Sequence, residues 1–266
     1  MKPPHPKQVL RLAMIAPMTL VGIPLQWAAV RTSPRAAKII PQVYHRMLCR
    51  ILGVRLVVRG ERVKNSAALI VANHVSWLDI PVISAAAPVS FIAKAEVGTW
   101  PVVGLLARLQ RTVFIDRTRR AATATTNTMV ASRLGRGDAV VLFPEGTTGD
   151  GIRILPFRSS LVGAVRDTLT NGGEAPVSLQ PLTITYARRG GLPLSDADQA
   201  DIAWYGDMDL APHLGAILKG APIDVILTWG EPITVDAATD RKAATRLAEM
   251  QVRAAMRAAR AARGLT

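Results

Sequence analysis

From residue 54 onward, apolar and β-branched runs recur along the chain. They are "VRLVVRG" (54–60), "ALIVAN" (68–73), "VSFIAK" (89–94), "TVFIDR" (112–117), "AVVLFPEG" (139–146), "VSLQPLTITYA" (177–187) and "IDVILTWG" (223–230). Short runs of this kind predict strands. Helical stretches are predicted between several of them, near 80–87, 97–109, 119–135 and 157–170. Alternating strands and helices predict an α/β domain built on a sheet. Asn171-Gly172-Gly173 reads as a turn after the fourth helical stretch. Residues 188–221 read as loop-rich. From about residue 236 to 264 the pattern is an Ala/Arg helix, read as a solvated basic helix or as a surface that contacts a membrane or an anionic donor.

The segment before the domain has a different pattern. Leu12 to Val30 is a run of 19 residues without a charge, about the length that crosses a bilayer core. It is longer than the core of a usual secretory signal, and no small-residue cleavage site clearly follows it. Pro17, Gly22 and Pro24 argue against a straight spanning helix. The favoured expectation is a bent, membrane-embedded hairpin; a true span and a surface-lying helix are the alternatives.

Charge sharpens that picture. The net charge is +14, and residues 1–60 hold ten Lys/Arg and no acid. This asymmetry points to an anionic partner, a membrane surface or nucleic acid. If the apolar run spans, its heavier basic flank puts the main domain in the cytoplasm. The single cysteine, Cys49, excludes an intrachain disulfide and a cysteine-rich metal site. The four histidines lie far apart in sequence, so no multi-histidine metal site is expected.

Three stretches carry candidate chemistry. In "ALIVANHVSWLDIP" a buried strand stops at Asn73, which puts His74 at the carboxyl edge of the sheet, where open α/β sheets bind ligands. Pro81 suits a helix's first turn, so a helix should begin near Asp79. The chain can then fold Asp79 back onto one ring nitrogen of His74, leaving the other as a base. The plainer alternative is that Asp79 caps its helix and His74 merely packs. In "VVLFPEGTTGDG" (140–151), glycines 146, 149 and 151 let backbone N–H groups approach an anion, or form an ordinary turn. In "RTVFIDRTRR" (111–120) a strand delivers Arg117 to the same edge, where its guanidinium can grip a phosphate or join a surface ion pair. The chain has no G-x-S-x-G elbow, Walker A loop or G-x-G-x-x-G. A His-Asp base without a nucleophile suggests direct transfer to a substrate hydroxyl.

Taken in order, "NHVSWLD", "VFIDR", "FPEGT" and "LQPLTITY" resemble the four motifs of the PlsC-type lysophospholipid acyltransferases, the 1-acylglycerol-3-phosphate acyltransferase family, over about residues 55–190. The resemblance implies His74 as general base and Asp79 as its orienting acid. It implies Lys94 and Arg117 as ligands of the acceptor phosphate. It assigns Glu145, Gly146 and Thr147 to the motif that helps bind the acceptor head group. It also implies an acyl-CoA or acyl carrier protein thioester as co-substrate, with no further cofactor and no metal, and an N-terminal membrane-embedding segment. Two departures stand out. Thr148-Gly149-Asp150 follow "EGT" where many members have Arg-Ser, so one usual cationic ligand is missing at that point, and Arg153 and Arg158 are the candidates to replace it. "FRSSL" (157–161) replaces a small, glycine-containing segment. Residues 203–214, "AWYGDMDLAPHL", resemble bacterial members near the lyso-ornithine lipid acyltransferases.

The expectation is therefore a single glycerolipid-acyltransferase-type α/β domain. A mixed sheet flanked by helices (55–235) would follow a basic, apolar helical hairpin (1–54) and precede a basic helix (236–266). Its partners would be membrane phospholipids and the thioester carrier, with no nucleic acid, on the cytoplasmic face of a bacterial inner membrane. The expected acceptor is 1-acylglycerol 3-phosphate, with a lyso-ornithine lipid as the alternative. A basic lipid- or nucleic-acid-binding protein explains the charge but not the ordered motifs, and 5% aromatic residues offer no obvious base-stacking platform. A hydrolase of the same fold, with water as acceptor, is the remaining reading.

Overall fold

The computed structural model describes residues 5–63, 68–115, 129–130, 132–134, 137–160, 162, 177–236 and 238–262. Arg117 and most of the helices expected over 119–135 and 157–170 lie outside the described residues.

The chain opens with helices α1 (Pro6–Thr32) and α2 (Pro34–Leu52). They form an antiparallel pair, in which Thr19 Oγ1 meets the Tyr44 hydroxyl at 2.8 Å and Gln26 Nε2 donates to Ala37 O at 3.0 Å. The chain does not reverse within the uncharged run: α1 continues as one helix through Pro17 and Pro24. The reversal comes at Ser33, whose extended backbone breaks the helix and whose side chain accepts from Ala36 N. Pro34 then begins α2, in the helical position where its missing N–H costs nothing.

The sheet is built from β1 (Val54–Arg59), β2 (Ala68–Ala72), β3 (Ser90–Lys94), β4 (Val113–Ile115), β5 (Ala139–Leu142), β6 (Val177–Arg189), β7 (Leu192–Pro193), β8 (Ile223–Trp229) and β9 (Ile233–Val235). Its order is β1-β8-β6-β2-β5-β3-β4, with β7 and β9 also paired to β6. Strands β6, β2, β5, β3 and β4 run parallel, whereas β8 runs antiparallel to β6. The sheet is therefore mixed, and the carboxyl ends of β2, β3, β4 and β5 share one edge.

Both faces of the sheet are covered, which is why "ALIVA" in β2 is buried at every position. Ile70 and Ala72 face a core shared with Cys49 and Leu52 of α2 and with Val82 and Ile83 of α3 (Asp79–Ala86). Leu69 and Val71 face the opposite core. That core also takes Ala248, Val252 and Met256 from the C-terminal helix, Arg241–Ala262. The Ala/Arg helix is thus amphipathic and packed, not solvated all round. Its small alanines let it lie close to β6, Arg241, Lys242, Arg246 and Arg257 occupy the outer face, and Arg260 turns inward to the carbonyls of Gly151 and Ile152.

The loop-rich reading of 188–221 is corrected. This stretch holds β7 and helices α5 (Asp196–Ile202) and α6 (Leu210–Lys219), after α4 (Val103–Leu109); the C-terminal helix is then α7. Helix α5 starts in a capping box between Ser195 and Asp198, which stabilises a helix too short to show apolar periodicity. The stretch 97–109 is a 3-10 turn, Ala95–Thr99, followed by α4. Pro101 cannot continue a helix, and Val102 takes a left-handed φ of 61°.

Helix α1 is fixed to the domain through polar groups. Gln8 Nε2 donates to Gly215 O at 2.9 Å. Arg11 Nη1 reaches the terminal carbonyls of α6, including Leu218 O at 2.9 Å, and so caps a negative helix end. Its outer face is apolar and uncovered, with Leu10, Leu12, Leu20, Val21, Leu25 and Trp27 exposed and Leu20 at 71%.

Candidate active site

Strand β2 ends at Ala72, and the next residue pins the loop. The buried Asn73 amide donates from Nδ2 to Ile184 O at 3.0 Å and accepts at Oδ1 from Ile184 N at 2.8 Å. It extends the pairing with β6 by one side chain and fixes where His74 emerges.

His74 and Asp79 are in contact. His74 Nδ1 lies 2.8 Å from Asp79 Oδ2. The same oxygen accepts from Val75 N at 2.7 Å and Ser76 N at 3.0 Å. The other oxygen accepts from the Tyr186 hydroxyl at 2.6 Å. Asp79 is fully buried, and an unpaired carboxylate there would be costly. Four donors satisfy it. Asp79 is the first residue of α3, yet its side chain turns back over the loop that precedes the helix. The helix has no side-chain cap, because Leu78 stands at that position. The capping alternative is therefore not what the geometry shows.

With a carboxylate accepting at Nδ1, that nitrogen carries the proton. Nε2 is then the free lone pair, without a hydrogen-bond partner among the described residues. The ring is stacked on Phe143 at 3.9 Å between centroids and 12° between planes, and the side chain is 19% exposed. Packing therefore fixes the imidazole plane, and one edge reaches solvent.

The stretch after β5 wraps the same loop. Gly146 takes a left-handed φ of 77°, and its N–H donates to Phe143 O at 3.1 Å. This turn is open to glycine and strained for other residues. Gly149 N donates to His74 O at 2.8 Å. Gly151 also has positive φ and lies where an added Cβ would come within 3.0 Å of Val75 Cγ1. Glu145 points inward: Oε1 accepts from His74 N at 2.7 Å and Oε2 from Leu155 N at 2.8 Å. Both oxygens are occupied, so Glu145 clamps the His74 loop and presents no free carboxylate to a ligand. Helix α7 holds the outer end of this segment. Glu249 Oε2 accepts from Phe157 N at 2.9 Å, and Arg260 Nη1 donates to Ile152 O at 2.7 Å.

Burial pushes the Glu145 carboxyl up to about 7, against the two backbone N–H bonds that favour its charge. A carboxyl whose folded pKa is raised stabilises the fold below its unfolded value and loses that contribution as pH climbs through the folded one. Stability should therefore fall between about pH 4.5 and 7 by up to roughly 3 kcal/mol from this group and level off above. Thermal melts across that range check it. Glu145→Gln removes the slope, whatever it does to overall stability; an unchanged slope in that variant would assign the pH dependence elsewhere.

The remaining expected residues are distributed as follows. Lys94 is exposed at the end of β3, in register with Ile115 at the end of β4, on the His74 edge of the sheet. Thr147 is exposed on the turn beside Glu145. Arg153 and Arg158 are exposed further along that segment. Asp150 folds back locally, its Oδ1 accepting from Ile152 N at 2.8 Å and Arg153 N at 3.0 Å. Sequence reasoning did not single out Phe143 or Tyr186. Tyr186 carried one usable signal, a hydroxyl in an otherwise apolar buried run, which needs a partner.

The acyltransferase family model, described simply as "Acyltransferase", matches residues 55–185. A lyso-ornithine lipid O-acyltransferase of Brucella abortus is 43% identical over 247 residues, which is 93% of this chain and 92% of that protein. The chain belongs to the PlsC-type acyltransferase family. A lyso-ornithine lipid O-acyltransferase of Rhizobium meliloti is 38% identical over 90% of this chain and 82% of that protein. A 1-acyl-sn-glycerol-3-phosphate acyltransferase of Neisseria gonorrhoeae is 44% identical over 102 residues, 38% of this chain and 40% of that protein. The crystal structure of the 1-acyl-sn-glycerophosphate acyltransferase PlsC from Thermotoga maritima superposes with a TM-score of 0.63 over 94% of this chain and 96% of that one, at 17% identity. The shared fold includes the mixed sheet and its flanking helices.

Proposed function

We propose that this acyltransferase moves a fatty acyl group from a thioester of acyl carrier protein or coenzyme A to the free hydroxyl of a lyso-ornithine lipid. His74 Nε2 takes the proton of that hydroxyl, and its oxygen attacks the thioester carbonyl. The tetrahedral adduct collapses, the C–S bond breaks, and the leaving thiolate takes the proton back from the imidazolium. Asp79 holds the ring in the required tautomer throughout. No covalent enzyme intermediate is needed.

The observation that carries the acceptor is the extent of likeness. Relatives named for lyso-ornithine lipid match 82–93% of the chain, whereas the gonococcal relative named for 1-acyl-sn-glycerol 3-phosphate matches 38%. This moves the preference from the glycerophosphate acceptor favoured by the motifs to the ornithine one. The local charge supports the change. Where many family members carry Arg-Ser, this chain has Thr148 and Gly149 and then the acidic Asp150. A dianionic phosphomonoester is poorly served by an added acid, and an ornithine ammonium is well served.

Docking of the hairpin with its apolar face outward supports association with one leaflet of the bacterial inner membrane. The cytoplasmic face is the one on which the thioester donors are made. Membrane phospholipids and the thioester carrier are then the partners.

The test is a pair of purified acceptors with one labelled acyl thioester. The lyso-ornithine lipid should give a kcat/KM at least about tenfold above that of 1-acylglycerol 3-phosphate, a margin of roughly 1.4 kcal/mol. Glycerol 3-phosphate should inhibit weakly. Arg117→Ala, which removes a residue the family resemblance assigns to acceptor phosphate, should raise the KM for the acceptor but not for the thioester. The reverse acceptor preference with strong glycerol 3-phosphate inhibition would restore the lysophosphatidate reading.

A further inference from the structure

The tyrosine hydroxyl on Asp79 has no place in a His-Asp pair as such, yet the fold builds a position for it. Alternation along β6 puts Leu182, Ile184 and Tyr186 on the face that packs against α2 and α3. Tyr186 is 1% exposed. The pairing of β6 with β8 shifts register between Tyr186 and Arg188. At this irregularity the Tyr186 carbonyl accepts from Gln199 Nε2 of α5 at 2.9 Å, and Gln199 is itself buried. The backbone is therefore held independently of the ring. The hydroxyl then reaches Asp79 Oδ1 at 2.6 Å, on the carboxylate oxygen that His74 does not use.

We propose that Tyr186 is a positioning residue for the transfer reaction: its phenol O–H locks the Asp79 carboxylate in the rotamer that receives His74 Nδ1–H and draws off part of its charge, which sets the basicity of His74 Nε2. The inference rests on the reading of His74 as the general base. Burial, and then the charge of Asp79, push the phenol well above its ordinary range, so it stays a donor at every working pH. A hydrogen bond to the charged form of a carboxylate spreads that charge. Less charge on Asp79 means less stabilisation of an imidazolium 2.8 Å away.

The neighbouring ionisable groups must be separated from this effect. On α2, burial pushes the Cys49 thiol up to about 12 and the His45 ring down to about 4, so both stay neutral near pH 7. On α6, His213 accepts at Nδ1 from Trp77 Nε1 at 2.9 Å and is shifted down by burial. Glu145 titrates in the same window as an imidazole and touches the His74 backbone. A measurement on the His74 ring itself is therefore required.

Two variants move the donor in opposite directions. Tyr186→Phe keeps the ring and removes the O–H. Installing 3,5-difluorotyrosine at position 186 keeps the ring and makes the O–H a stronger donor. The titration midpoint of the His74 ring, followed by NMR at its Cε1–H without any substrate, should rise by about half a unit or more in the first and fall in the second. The acid limb of kcat/KM should follow in the same directions. In Tyr186→Phe, kcat should fall about tenfold with KM for both substrates unchanged, as expected when a transition-state interaction alone is weakened. A role in packing alone predicts a lower melting temperature with the ring midpoint unmoved. Midpoints within about 0.1 unit of wild type in both folded proteins overturn the proposal. If Tyr186→Phe does not fold, the fluorinated protein decides by itself. Because the ring titration needs no substrate, it still reports if the acyl acceptor has been misassigned.

Discussion

His74→Ala should abolish nearly all acyl transfer while leaving the fold intact. Loss of a positioned general base costs about 10² to 10⁴ in rate, and no second histidine lies within hydrogen-bond reach of Asp79 among the described residues. The fold should survive because the three other donors to Asp79 remain. The ring's stacking on Phe143 is the main packing that is lost. Asp79→Asn should differ in kind. Its amide can accept at one oxygen only and turns two N–H donors towards groups that are themselves donors. That leaves buried donors unsatisfied, at about 1–3 kcal/mol each, and frees the imidazole to adopt the wrong tautomer. Turnover and thermal melting on both proteins make the check. His74→Ala with turnover within about threefold of wild type would remove the base from the mechanism.

The second large effect concerns the hairpin. Leu10, Leu20 and Leu25 lie on the uncovered face of α1 and are 63%, 71% and 57% exposed. Replacing all three with glutamate should move the protein from liposomes to the soluble fraction and leave melting of the domain almost unchanged. Each exposed leucine offers about 1.5–3 kcal/mol on transfer out of water, and a buried charge reverses the sign. Three such changes should lower membrane partitioning by well over a hundredfold. The contacts that seat α1, through Gln8, Arg11 and Gln26, are left in place. Flotation in high salt separates the two modes of attachment. Full-length protein stripped from anionic vesicles by salt alone would make the attachment electrostatic and defeat the embedded-face reading.

Residue patterns alone gave the alternating strands and helices and the order of the motifs. They offered the pairing of His74 with Asp79 as one of two readings, which the family resemblance favoured and the 2.8 Å contact decided. These signals are local: a β-branched run declares a strand, and a histidine placed just past it declares an edge. The partner acid lies only five residues on, so the loop between them can close by itself. The apolar run of α1 was equally legible as a membrane-seeking surface, but its reversal point was not. An internal proline weakens a helix without fixing where the chain reverses, and here Tyr44, Leu109 and the end of α6 hold α1 along its length. Short α5 was invisible because a capping box and docking, not periodicity, stabilise it; α6 carried a readable stripe, Leu210, Leu214, Ile217 and Leu218, that the loop-rich reading of 188–221 passed over.

What only the tertiary structure decided is how the site is held. Tyr186 lies 107 residues from Asp79, Glu145 lies 71 from His74, and Glu249 lies 92 from Phe157. Each contact joins separate strands, loops or helices, and nothing in the spacing along the chain encodes it. The same holds for the inward turn of Glu145. A motif glutamate reads from sequence as a ligand, and only the sheet geometry shows both of its oxygens already committed to backbone N–H groups. The reacting groups were written locally, in one loop after one strand. The groups that hold them in place come from distant parts of the chain, because a buried carboxylate must collect its donors from whichever elements the fold packs around it.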